Sequence, residues 1–125
     1  MQEFLVSETA ATDDGEGAEV ALGGNCGKPL LLTLGITRII EQESLDISTW
    51  GSADQERWRQ LTTYPQKFYC GTYLLMLDLS RHPEVHHLRA QWRIRRWDAG
   101  ERAALADFYL YLSAGVARAQ AVAAA

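Results

Sequence analysis

The sequence predicts an all-β fold, an antiparallel jelly-roll-like β-sandwich with a short Ala-rich C-terminal tail. Three observations predict it. Apolar residues recur at every second position in stretch after stretch, which is the period of a strand with one buried face. Turn residues interrupt these stretches every eight to twelve residues or so, giving roughly six to eight short strands. No stretch carries the sustained apolar stripe of an amphipathic helix.

In chain order, residues 3–9 alternate weakly around Phe4 and Val6 and suit an edge strand. Residues 10–17 are a polar, Gly-containing turn. Residues 18–22 suit a short second strand. Gly23-Gly24-Asn25-Cys26-Gly27 is a breaker whose residues tolerate positive φ. It lacks the spacing and the following helix of a phosphate-cradling loop. Residues 28–40 form a long strand, with Leu30, Leu32, Leu34 and Ile36 on one face and Pro29 at its entry, where a missing N–H is tolerated. Glu41-Gln42-Glu43 reads as a polar turn.

Residues 44–50 alternate again, with Leu45, Ile47 and Thr49 against Ser44, Asp46 and Ser48. Residues 51–57 are a loop pinned by Trp58 and Leu61. Residues 64–71 are a turn or irregular edge around Pro65 and Gly71. Residues 72–79 are a strand with Tyr73, Leu75, Leu77 and Leu79 on one parity. Leu74 and Met76 on the other predict that both its faces are covered. A turn around Pro83 leads to residues 85–97. There Leu88, Ala90, Trp92 and Ile94 alternate with His87, Arg89, Gln91, Arg93 and Arg95, so one element carries an apolar face and a cationic face. Residues 98–102 are a loop. Residues 107–112 set Phe108, Leu110 and Leu112 against Tyr109 and Tyr111. One β-sandwich domain over residues 1–115 is expected, with 116–125 a frayed helix or a disordered tail. A single helix over residues 101–122 is the rival reading, and the alternating aromatics at 108–112 argue against it.

The chain has 125 residues, which is one domain by length and enough to bury a core without disulfides or metal. Its net charge of −4 excludes a generic nucleic-acid binder. The charge is uneven: residues 1–27 hold six acids and no Lys or Arg, whereas residues 85–102 hold five arginines. The two regions either neutralise each other within the fold or leave a cationic site for an anionic partner. No secretory leader or membrane-spanning apolar run is visible, so the expectation is a cytoplasmic protein in which Cys26 and Cys70 stay reduced.

Three pieces in order resemble a known fold family. Residues 45–58 run from an alternating strand through Gly51-Ser52-Ala53-Asp54 to Trp58. Residues 68–79 lead from an aromatic and glycine turn into a strand ending Asp78-Leu79. Residues 87–97 carry Leu88-Arg89 and then Trp92. This layout resembles the discoidin-like, or coagulation factor type C, branch of the galactose-binding-like domains, across roughly residues 28–112. The resemblance implies a jelly-roll sandwich and a binding module. It departs from the family at Gln55, where a glycine is expected after the aspartate. It also lacks the terminal disulfide, and its ligand-binding loops match no residue here. The chain also resembles a group of uncharacterised bacterial proteins that share the Phe-Tyr-Cys-Gly-Thr-Tyr segment at 68–73.

Candidate chemistry follows from residue types. Arg89, Arg93 and Arg95 stand about 7 Å apart along their strand. With Gln91 they suit carboxylates, phosphates or sulfates, which guanidinium binds in bidentate fashion. Trp50, Trp58 and Trp97 near loops can stack on sugars or bases, or plug the core. Asp54 can bind a ligand hydroxyl or bond its own turn. The adjacent His86 and His87 point to opposite faces of a strand and do not converge on one ion. Cys70, among aromatics, reads as a buried thiol, and Cys26 as the more exposed one with nothing nearby to activate it. No nucleophile and base, and no carboxylate pair, can be brought together from sequence.

The expected function is therefore non-catalytic, without cofactor or metal. It is a module that binds a protein partner, as a small accessory or structural subunit of a larger assembly, with Arg89, Gln91, Arg93 and Arg95 as the contact face. Carbohydrate recognition through the loop aromatics Trp50, Trp58 and Trp97 with Asp54 or Asp98 is the alternative. Nucleic acid and a membrane span are not expected.

Overall fold

The computed structural model describes residues 1–40, 43–96 and 104–115. Trp97, the 98–102 loop and the Ala-rich 116–125 segment lie outside the described residues. The strands are β1 (Gln2–Ala11), β2 (Gly15–Glu16), β3 (Val20–Ala21), β4 (Pro29–Ile39), β5 (Glu43–Ser52), β6 (Arg59–Thr63), β7 (Gly71–Asp78), β8 (His87–Arg96) and β9 (Ala106–Ala114). No α-helix occurs among the described residues; Gly23–Asn25 and Leu79–Arg81 are single 3-10 turns.

The strands form two antiparallel sheets packed as a sandwich. One is four-stranded, in the order β1-β9-β4-β7; the other is five-stranded, in the order β2-β8-β5-β6 with β3 also on β8. The chain crosses repeatedly between the layers, so neighbours within a sheet are distant in sequence. Strand β9 lies between β1 and β4, and β8 lies between β2 and β5. Each sheet remains open, with β1 and β7 at the edges of one and β6 at an edge of the other.

The inward rows are those that the alternation predicts. Leu30, Leu32, Leu34 and Ile36 of β4 face Phe108, Leu110 and Leu112 of β9 within one sheet, all of them buried. Leu45 and Ile47 of β5 and Leu88, Ala90 and Ile94 of β8 meet them from the other. Each such Leu, Ile or Phe side chain contributes about 1.5–3 kcal/mol by leaving water. Trp92 closes the layer edge-on to Phe108, with ring centroids 5.3 Å apart. Tyr64, which follows β6, ties the layers together: its buried hydroxyl donates to the Leu32 carbonyl at 3.0 Å.

The structure corrects the sequence reading at several points. Strand β6 is new; Arg-Gln-Leu-Thr-Thr alternates too weakly to announce itself, and pairing with β5 makes it a strand. Strand β7 is an edge strand and is not covered on both faces, since Leu74 is 63% exposed. Glu43 is not in a polar turn: it begins β5 and is buried, its carboxylate accepting from the Leu105 N–H at 2.6 Å and the Ile40 N–H at 3.3 Å. The two thiols exchange roles, with Cys70 exposed and Cys26 only partly so.

Candidate functional site

Three surfaces concentrate the chemistry. The first is the outer face of the five-stranded sheet, where strand alternation turns Arg89, Gln91, Arg93 and Arg95 of β8 away from the core. Register sets Trp50 opposite Arg89, Ser48 opposite Gln91, Asp46 opposite Arg93 and Ser44 opposite Arg95. On the other side of β8, the acidic N-terminal segment has folded down. β2 pairs Gly15 with Trp92 and Glu16 with Gln91. The Asp14 carboxylate accepts the Ile94 N–H at 2.9 Å, and the Asp13 carbonyl accepts the Trp92 indole N–H at 3.1 Å.

This segment divides the arginine row. Arg89 lies over the Trp58 ring, 4.3 Å from its centroid, and its Nε stands 3.7 Å from Glu16 Oε2. Arg95 Nη1 stands 3.8 Å from Asp14 Oδ2. Such exposed pairs contribute only about 0–1 kcal/mol each, but they orient the side chains. Arg93 makes no ion pair among the described residues, and Asp46, its register neighbour, accepts from Gln66 at 3.4 Å. Arg93 and Gln91 then line a groove with Asp46, Ser48, Trp50, Gln60 and Thr63, of about 310 Å³. The Trp50 indole N–H donates to the Ser48 hydroxyl at 2.9 Å, which fixes the ring in the groove wall.

Asp54 does something else. Its Oδ1 accepts the N–H groups of Glu56 at 3.0 Å and Arg57 at 2.9 Å, and the Ser52 hydroxyl at 3.0 Å. The Ser52 oxygen in turn accepts from Asp54 N and Gln55 N. These bonds hold the turn in which Gln55 adopts φ 65°. The backbone N–H donors of Arg57 and Glu56 and the Ser52 hydroxyl pull the Asp54 carboxyl from 3.8 down to about 2. Asp54 is thus committed to its own loop and stands apart from the groove that Trp50, Gln91 and Arg93 share. Trp97 lies outside the described residues.

The second surface was missed by sequence reasoning. On the outer face of the four-stranded sheet, Phe4 of β1 stands opposite Tyr111 of β9, Tyr111 opposite Thr33 of β4, and Thr33 opposite Leu74 of β7. Phe4 meets Tyr111 and Tyr109 edge-on, at 5.0 and 6.0 Å between centroids. Leu31 and Met76 form the next rung. Phe4 is 48% exposed and Leu74 is 63% exposed. The charged side chains stand at the ends of this band, with Glu8, Arg38 and Asp107 at one and Asp78 at the other. The available signal was apolar residues on both parities of 72–79 and 107–112, which sequence alone cannot tell from double coverage.

The third is a pair 60 residues apart in sequence: Cys26 Sγ lies 3.2 Å from His86 Nδ1. Among the described residues no cluster of three or more His, Cys, Asp or Glu side chains assembles a metal site. No protein-family model matches the chain, and no curated protein matches it.

Proposed function

We propose that this chain is a non-catalytic interaction module, a small accessory subunit that binds a protein partner through the outer face of its four-stranded sheet. One observation carries the reading: an apolar band of Phe4, Tyr109, Tyr111, Leu31, Met76 and Leu74 spans all four strands, with no charge inside it among the described residues. Exposed apolar surface that runs on in this way marks interaction sites, and rigid aromatics at its centre are what binding hot spots are made of. The partner surface would be apolar and weakly charged. The arginine row, the sequence's first candidate, is the weaker face, since Arg89 and Arg95 already stand beside Glu16 and Asp14.

The test is copurification of the full chain from its native cells, followed by calorimetric titration of the purified partner. Leu74→Arg is expected to weaken binding by about tenfold or more, while Arg93→Ser leaves it unchanged and added salt changes it little. Loss of binding with Arg93→Ser and not with Leu74→Arg would move the function to the other sheet. Recovery of the free monomer alone would remove the proposal.

A second reading is favoured by the groove. Asp46, Gln60, Gln91 and Arg93 offer acceptors and donors around Trp50, the equipment for a hydroxyl-rich ring with one apolar face. A carbohydrate-binding module of galactose-binding-like type would fit this, with its site on the sheet face. A glycan array without a binder sinks this reading.

A further inference from the structure

The geometry points to Cys26 and His86 as a reactive-thiol site, open to small electrophiles and in particular to hydroperoxides. Cys26 closes the Gly-rich turn before β4, and His86 precedes β8. The turn and the histidine are locked in register by the Leu22 N–H donating to the His86 carbonyl at 2.8 Å, and by the His86 N–H donating to the Ser52 carbonyl at 2.9 Å. The result is Sγ to Nδ1 at 3.2 Å, with the pair open to solvent. Nδ1 stands where it can take the thiol proton and so generate the thiolate, which is the nucleophile.

The surroundings are sparse. The Cys26 thiol also lies 3.2 Å from the Gly23 carbonyl, which can accept from it. Lys28, two residues on, adds positive potential on the same loop. On the histidine's side, the Glu84 carboxylate is held by Arg59 and stands 3.8 Å from His82 Nδ1. His86 has no carboxylate within 4.0 Å among the described residues. The groove that Trp50, Gln91 and Arg93 share includes neither Cys26 nor His86, so the pair is a separate place on the surface.

With a hydroperoxide, the thiolate sulfur attacks the proximal oxygen and an S–O bond forms as the O–O bond breaks. The distal oxygen leaves with the electron pair and takes the proton from the His86 imidazolium. Sulfur is oxidised by two electrons to a sulfenic acid, and hydrogen peroxide is reduced to water. No internal thiol resolves it. Cys26 lies beyond the Pro29/Asp78 end of the β4–β7 ladder and Cys70 beyond the Ile36/Gly71 end, about 20 Å or more away. The sulfenic acid therefore persists or condenses with a thiol from outside the molecule.

Cys70 is an internal control, an exposed thiol on the same chain. The folded protein is treated with limiting iodoacetamide at pH 6.5, and separately with hydrogen peroxide plus dimedone, and labelling at each cysteine is read by mass spectrometry. Cys26 is expected to react on the order of tenfold faster than Cys70 in both arms, and His86→Gln to bring it to the Cys70 rate. Circular dichroism checks that the variant is folded. Equal or slower labelling of Cys26, or a rate that His86→Gln leaves unchanged, overturns the site. Fast alkylation without dimedone trapping overturns the hydroperoxide as its co-reactant.

Discussion

Tyr109 lies directly over Gly35 on the outer face of the four-stranded sheet, so closely that a β-carbon on Gly35 would overlap the ring. The glycine is therefore a seat for the aromatic. It lets the ring lie flat across β4 and join Phe4 and Tyr111 in one band. Gly35→Ala is expected to destabilise the fold by about 1–3 kcal/mol, the usual cost of overpacking. Urea unfolding measures it, and adding Tyr109→Ser should recover most of the loss. A neutral Gly35→Ala would mean that the ring swings away freely.

Thr49 makes the opposite case. It sits on the inward parity of β5, 1% exposed, and its hydroxyl finds no hydrogen-bond partner among the described residues. A buried hydroxyl without a partner costs about 1–3 kcal/mol, and a methyl in its place costs nothing in hydration. Thr49→Val should raise stability by roughly 1 kcal/mol, seen as a higher urea midpoint at unchanged slope.

Glu43 is the carboxylate that the core requires. It holds the N–H groups of Leu105 and Ile40 at the start of β5. Glu43→Ala strips both donors of their acceptor, and about 2–3 kcal/mol should be lost. Glu43→Gln keeps one acceptor oxygen and should lose less. If the alanine variant unfolds at the wild-type midpoint, these bonds do not hold that end of the sandwich.

The Asp54 turn predicts a pH dependence of known sign. Its folded carboxyl titrates at about 2, against an ordinary 3.8. A lowered value means that the folded form holds the charged group better, so its stabilising contribution is complete above 3.8 and fades as the pH falls toward 2. Urea midpoints of the wild type and Asp54→Asn should differ at pH 7, draw together as the pH falls below 3.8, and converge only below about 2. A gap that widens on acidification would contradict the bonding of this loop.

The alternation rule reached the core because it is local physics. Leu88, Ala90 and Ile94 had to share a face, and that face had to be buried. The rule could not say what lies against the other face. Leu74 and Met76 looked covered because nothing in residues 72–79 reveals that β7 stands at a sheet edge. Tyr109 and Tyr111 were visible as a parity but not as part of a band, which needs Phe4 from more than 100 residues away. Asp54 announced its turn, since Asp and Ser bond locally. Cys26 and His86 left no trace in sequence, because only the β3–β8 register brings them together.

The interleaving of the sheets also sets how the chain must be made. β1 has its ladder partner in β9, with Gln2 against Ser113 and Ala11 against Ala106, and β4 leans on the same strand from the other side. Until the ribosome has released β9, the four-stranded layer is missing an inner strand. β1 and β4 then expose Leu5, Leu32 and Leu34 to whatever is nearby. Nascent chains stalled before residue 106 should bind chaperones and resist compaction. Completed chains should collapse in one late, slow step dominated by contacts between distant residues.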